Sequence, residues 1–104
     1  MKNVWVYRLA RLEVAEAAGR YDEVSPDLGD ALVEEFGTAL RQLSEFPLST
    51  PVFVGEIRKR PLFRFPYSIL YRVKMDEVHV IAFVHQHRGP IHLADRLQDE
   101  VDEG

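Results

Sequence analysis

The sequence contains no cysteine. That excludes disulfides, thiolate nucleophiles and any zinc site built on sulfur. Small secreted domains commonly need disulfides, so the absence favours the cytoplasm as the working compartment. Long apolar runs are also missing. None approaches the ~18 residues of a membrane-spanning helix, and the start, Met1-Lys2-Asn3-Val4-Trp5, lacks the apolar stretch of a secretory leader. There are no internal repeats or low-complexity segments. With 104 residues, the expectation is one domain over 1–104, with a modest core between two layers. General basicity is lacking too. The formal net charge is −4 and the pI about 5.5, which argues against a protein that presents a cationic surface to nucleic acid all round.

What is present is the composition of a folded chain, 46% hydrophobic and 29% charged, outside the range of disordered tails. The charge is unevenly placed. Between residues 57 and 92, Arg58, Lys59, Arg60, Arg64, Arg72, Lys74 and Arg88 face only Asp76 and Glu77. Acids gather in the first half and in Asp99, Glu100, Asp102 and Glu103. One basic region on an acidic protein suits local anion binding. Lysine and arginine along a strand edge also guard against aggregation, and the sequence leaves both open.

Residues 3–7 are β-branched and aromatic and predict a short strand. From 8 to 24 the pattern turns helical, with Leu12, Ala15, Ala18 and Arg20 or Tyr21 at three- and four-residue spacing. Ser25-Pro26-Asp27 predicts a second helix start, Ser25 as cap and Pro26 at the first helical position. Leu28, Leu32, Phe36, Leu40 and Leu43 then form a stripe, ended by Pro47. The two helices form an antiparallel hairpin. The prolines and glycine of 47–55 predict an irregular loop. Strands follow at 57–63, 67–73 and 78–85, the last two joined through Met75-Asp76-Glu77. Pro61 predicts an edge, and apolar residues of both parities in 78–85 predict a central strand. Leu93, Leu97 and Val101 predict a short terminal helix. The fold class is α+β in the order β-α-α-β-β-β, with the helical hairpin on one face of a mainly antiparallel sheet.

The opposite sheet face is where the basic residues are expected to gather. Arg58 and Arg60 share one parity and Lys59 the other. Arg72 and Lys74 lie opposite Tyr67, Ile69, Tyr71 and Val73. His79, His85 and His87 share a parity, with Arg88 adjacent. Arginine neutralises charge on a phosphate and histidine exchanges protons near neutrality, so this group suits metal-free phosphodiester chemistry. Histidines at strand ends are more often surface residues, and Tyr67 and Tyr71 more often pack a sheet than stack a base. No carboxylate completes a metal set with His85 and His87, and no cofactor is called for.

Three stretches carry a family resemblance. They are the helix from Ser25-Pro26 to Phe46-Pro47, then Arg64-Phe65-Pro66-Tyr67-Ser68-Ile69-Leu70-Tyr71-Arg72-Val73, then Val78-His79-Val80-Ile81-Ala82-Phe83-Val84-His85-Gln86-His87-Arg88-Gly89-Pro90. Their order and spacing resemble the RelE/ParE toxins, or plasmid-stabilisation proteins, over roughly residues 4–96. The resemblance implies a compact toxin neutralised by a cognate antitoxin that wraps a partly helical segment over it. RelE-like members cut messenger RNA in the ribosomal A site, ParE-like members inhibit DNA gyrase, and some relatives are inert. The family's basic positions fall on Arg58, Arg60, Arg64 and on His87 or Arg88. A nuclease would use Arg64, His87 and Arg88, with Arg58, Lys59, Arg60 and Arg72 on nucleic acid. The C-terminal segment carries His92 and Leu93 where RelE-like nucleases commonly have a tyrosine or histidine pair. That departure and the acidic pI point to the ParE-like branch. Leu93, Leu97 and Val101 are expected as an exposed stripe for the antitoxin or a second copy.

Overall fold

A computed structural model describes residues 1–87, 93–99 and the backbone of 101–102. The elements run β1 (Val4–Tyr7), α1 (Arg8–Val24), α2 (Leu28–Glu45), β2 (Val52–Val54), β3 (Ile57–Pro61), β4 (Tyr67–Lys74), β5 (Glu77–His85), α3 (Leu93–Arg96) and β6 (Val101–Asp102). The sheet order is β2-β3-β4-β5-β1-β6. Every pairing is antiparallel except that of β1 with β5, where Val4 lies opposite Val78 and Val6 opposite Val80. As the patterns predict, the helical hairpin covers one face and β5 is central. No helix among the described residues is long and apolar enough to cross a membrane.

The main core lies between hairpin and sheet. α2 contributes Leu32, Phe36, Ala39 and Leu43, and the sheet contributes Val6, Ile69, Tyr71, Val78, Val80 and Phe83. The α2 stripe is the predicted one. The inner face of α1 is not: Ala10, Val14 and Ala17 are buried, and Leu12 is 48% exposed. Alanines on that face let α1 approach the sheet closely, so small residues do the packing that the sequence pattern assigns to a leucine.

The bend between the helices also differs from expectation. Ser25 does not cap α2. The residue preceding the helix is Asp27, in the left-handed conformation at φ 69°, and no side chain of its own caps the helix. The Leu28 N–H donates to the Ser25 carbonyl instead. Asp22, in the last turns of α1, accepts from the Gly29 N–H at 2.7 Å. One of the free donors of α2 is thus satisfied from the preceding helix. A side chain at Gly29 would meet the Ala18 carbonyl oxygen at 2.4 Å, so the close approach of the helices requires glycine there.

The 47–55 stretch is not wholly irregular. Gly55, at φ +56°, turns the chain so that Val52–Val54 pairs with β3 as the outermost strand. The preceding loop is pinned by the Tyr71 hydroxyl, which donates to the Pro47 carbonyl at 2.7 Å and shares a 2.6 Å hydrogen bond with Thr50. β3 itself ends at Pro61 rather than residue 63. β2 reaches only as far as Arg58, so Pro61, opposite Ser68, lies at an edge as predicted. Met75 and Asp76, both at positive φ, form the tight turn joining β4 to β5.

A bulge reorganises β5. Leu70 lies opposite Ala82, but Tyr71 lies opposite Val80, which leaves Ile81 as an extra residue. Val78 and Val80 therefore face the helices, Ile81 and Ala82 both face away, and Phe83 faces the helices again. A strict alternation along 78–85 fails at this point. The second sheet face carries a smaller core of Tyr7, Ile57, Leu70, Ile81 and Ala82. Leu93 and Leu97 are packed on it and half-buried rather than freely exposed. Val101 does not extend their helix: its backbone pairs with Tyr7 as β6. The expected apolar stripe is therefore broken after Leu97.

Candidate functional site

At the end of the β4–β5 hairpin where β4 begins and β5 ends, α1 and the sheet enclose an open cleft of about 500 Å³. α1 supplies Glu13, Glu16 and Arg20, whose three- and four-residue spacing puts them on one helix face. The sheet supplies Tyr67 and Phe83, and His85 and His87 close the end. The β5 bulge matters here, because it turns Phe83 and His85 toward α1.

The cleft is held by specific contacts. Tyr67 is buried, stacks on Phe83 at 4.8 Å between ring centres, and accepts a 2.8 Å hydrogen bond from the Arg20 guanidinium. That bond raises the Arg20 pKa further above its ordinary value, so the group is a permanent cation. The His85 ring stands edge-on to Tyr67 at 5.1 Å and 5.6 Å from the His87 ring. The His87 backbone N–H donates to His85 Nδ1 at 3.1 Å. With Nδ1 accepting, neutral His85 carries its proton on Nε2. Glu13 is bound to Arg96, with both guanidinium nitrogens at 2.8 Å, and accepts from the Phe83 N–H at 3.0 Å. A carboxylate, a guanidinium and two imidazoles thus converge on one open space. This is a set that can bind a phosphate group and move protons. Among the described residues, no group of three His, Cys, Asp or Glu side chains is placed to hold a metal ion.

The residues expected from sequence are not brought together on one face. His87 lines the cleft. Arg64 does not; it is exposed and lies over the Phe65 ring at 5.5 Å. Arg88 and His92 lie outside the described residues. Arg58 and Arg60 point to the helix side of the sheet, Arg58 toward the Thr50 carbonyl and Arg60 toward Gln42 of α2 at 2.6 Å. Lys59 lies on the other side, over the Phe53 ring at 5.2 Å. Arg72 is buried on that second face and bound to Glu56 at 3.0 Å. Burial opposes its charge, but hydrogen bonds with Tyr7 and Glu56 outweigh it and keep its pKa above the ordinary value. Four predicted nucleic-acid contacts are therefore split between two faces, and one is consumed internally. His79 is separated from the other histidines by the bulge. It sits on the second face with Nδ1 2.8 Å from the Tyr7 hydroxyl, and burial lowers its pKa. Glu16, Arg20 and Tyr67 are the cleft residues that sequence patterns do not single out as chemistry. Their only sequence signal is the helical spacing of Glu13, Glu16 and Arg20.

The architecture defines the class: a small α+β protein with a helical hairpin on a mixed sheet and a cleft at one end of its central strands. No family model matches the chain. It is 31% identical over 85 residues to "Putative toxin Y4kP" of Sinorhizobium fredii, covering 81% of this chain and 86% of that protein. Its fold is similar to that of a chain of the chromosomal ParDE TA system from P. aeruginosa, with a TM-score of 0.73 and 20% identity over 82% of this chain and 96% of the other. The chain belongs to the RelE/ParE superfamily of toxins.

Proposed function

We propose that this protein is the toxin half of a type II toxin–antitoxin pair, that it arrests growth by binding a cellular target such as DNA gyrase, and that a cognate antitoxin neutralises it in the cytoplasm. The observation that carries this reading is the likeness to the ParDE chain, which spans nearly the whole of that chain. The distribution of the basic residues supports a binding toxin. Arg64 stands outside the cleft, and Arg72 spends its charge on Glu56. Tightly controlled expression of the chain alone tests the proposal, with growth and plasmid supercoiling read from the same cells. Arrest with altered topology is the expected result. Unimpaired growth with soluble protein present overturns it in favour of an inert family member.

The cleft favours a second reading, metal-independent cleavage of RNA, the messenger in the ribosome being the family precedent. Glu16 would take the proton of a 2′-hydroxyl as its oxygen attacks phosphorus. His87 would deliver a proton to the departing 5′-oxygen, and Arg20 would hold the charge that builds on the phosphate. Arrest with normal topology and cut messages, abolished by Arg20→Ala or His87→Ala, is the outcome that selects this reading over the first.

A further inference from the structure

β2 is the outer strand of the sheet, and all three of its side chains stand half in solvent: Val52 and Phe53 at 52% and Val54 at 49% exposure. Edge strands are normally blunted with charged side chains or covered. β2 carries no charged residue, and among the described residues no strand pairs with its outer side. Its backbone is also poised to bond. The Lys59 N–H donates to the Pro51 carbonyl, which makes that pair the hydrogen-bonded one. By the alternation of an antiparallel ladder, the next pair, Val52 with Arg58, turns its N–H and C=O groups outward. Beside the strand runs a shallow groove of about 330 Å³, walled by Thr50, Pro51, Val52, Phe53, Lys59 and Pro61.

The surroundings select the occupant. Lys59 lies over the Phe53 ring at 5.2 Å, and Arg60 lies over the exposed Phe63 ring at 4.9 Å. The nearby Glu56 is committed to Arg72. On a chain of net charge −4, this edge is therefore apolar and cationic. A second copy of the chain, paired edge to edge about a two-fold axis, would set these cations against themselves. An extended peptide that alternates apolar and acidic residues meets both features. Its backbone bonds to β2, its apolar side chains enter the groove, and its acids meet Lys59 and Arg60.

We propose that β2 is an acceptor edge for an extended, acidic and apolar segment of a partner protein, which adds a further strand to the sheet. Resting on the functional reading above, the segment belongs to the neutralising antitoxin. β2 is short, so the backbone contributes few hydrogen bonds and the groove sets the choice of partner.

Two variants test this. Val52→Pro removes the outward N–H without touching the internal ladder, and Phe53→Glu repels an acidic segment. Each is induced with and without the product of the adjoining reading frame, and backbone amide exchange is measured on the wild-type protein free and in that complex. The expected result is that both variants still arrest growth, that co-expression rescues the wild type but rescues neither variant, and that exchange at Val52 slows at least tenfold in the complex. Rescue of both variants at the wild-type level, with Val52 exchange unchanged, overturns the proposal while leaving the toxin reading intact. If the wild type causes no arrest, the toxin reading fails instead. The edge is then judged with a synthetic peptide of alternating valine and glutamate against its valine–lysine counterpart: slowed exchange at Val52 with the acidic peptide alone supports the edge, and no difference between the two overturns it.

Discussion

The Glu13 carboxylate grips both guanidinium nitrogens of Arg96 at 2.8 Å, and the same carboxylate accepts the Phe83 N–H beside the β5 bulge at 3.0 Å. One side chain of α1 thus ties down the C-terminal segment and also satisfies a backbone group on the central strand. Both partners are largely buried, with side chains 12% and 16% exposed. Removing one member leaves the other charge without its partner and Phe83 without its acceptor. Glu13→Ala is expected to cost about 2–4 kcal/mol. For a domain of this size that lowers the melting temperature by roughly 10 °C or more. A melt within a degree or two of wild type would show that the clamp is not a stabilising element.

Gly29→Ala is expected to destabilise by a similar route to overpacking. The added carbon would fall 2.4 Å from the Ala18 carbonyl and 2.6 Å from the Asp22 carboxylate. The backbone carbonyl cannot swing away. Moving Asp22 would break its bond to the Gly29 N–H. A loss of about 2–4 kcal/mol in denaturant midpoint analysis is the expected outcome, although alanine is the better helix former on exposed positions.

Ser68 makes the opposite prediction. Its hydroxyl is fully buried between β3 and β5 and has no hydrogen-bond partner among the described residues. Ser68→Ala removes an uncompensated polar atom and changes little volume. Stability should be unchanged or rise by about 1 kcal/mol. A marked loss in urea denaturation would reveal a partner for this hydroxyl.

Acid sensitivity should trace to His79. Burial lowers its pKa below the ordinary 6.5, although Glu77 pulls the other way. The unfolded chain therefore binds a proton at a pH where the folded protein does not. Stability is full above about 7, falls as pH drops through the unfolded value, and stops falling once the folded pKa is passed. His79→Gln should flatten this part of a plot of melting temperature against pH. An unchanged slope would assign the acid sensitivity to other groups.

The sequence patterns delivered the helical hairpin because Leu32, Phe36 and Leu43 repeat at the helical period on a large apolar face. They misplaced the inner face of α1 because Ala10 and Ala17 carry almost no hydrophobic signal, while Leu12 carries a strong one and faces water. β2 was hidden among prolines, since its partner is distant in pattern although near in sequence. The bulge at Ile81 is a tertiary event that no periodicity announces, and it decides which histidines meet. His87 was legible as chemistry because histidine and arginine cluster there. Glu16 and Arg20 look like ordinary surface charge until Tyr67 and His85 are seen across the cleft from them.

The one parallel seam of the sheet orders how the molecule comes together. β1 is synthesised long before β5, yet its place is between β5 and β6, with Val4 against Val78 and Tyr7 against Val101. Such long-range pairing is slow, because a large loop must close before any contact repays it. The N-terminal strand waits unpaired while the helices and the β3–β5 meander assemble from neighbouring residues. The Lys2 side chain reaches Asp76 at the turn of that meander, and the Lys2 carbonyl accepts from Ser44. Those contacts become available only once the hairpin and the turn are built, so β1 closes the structure as its last strand but one.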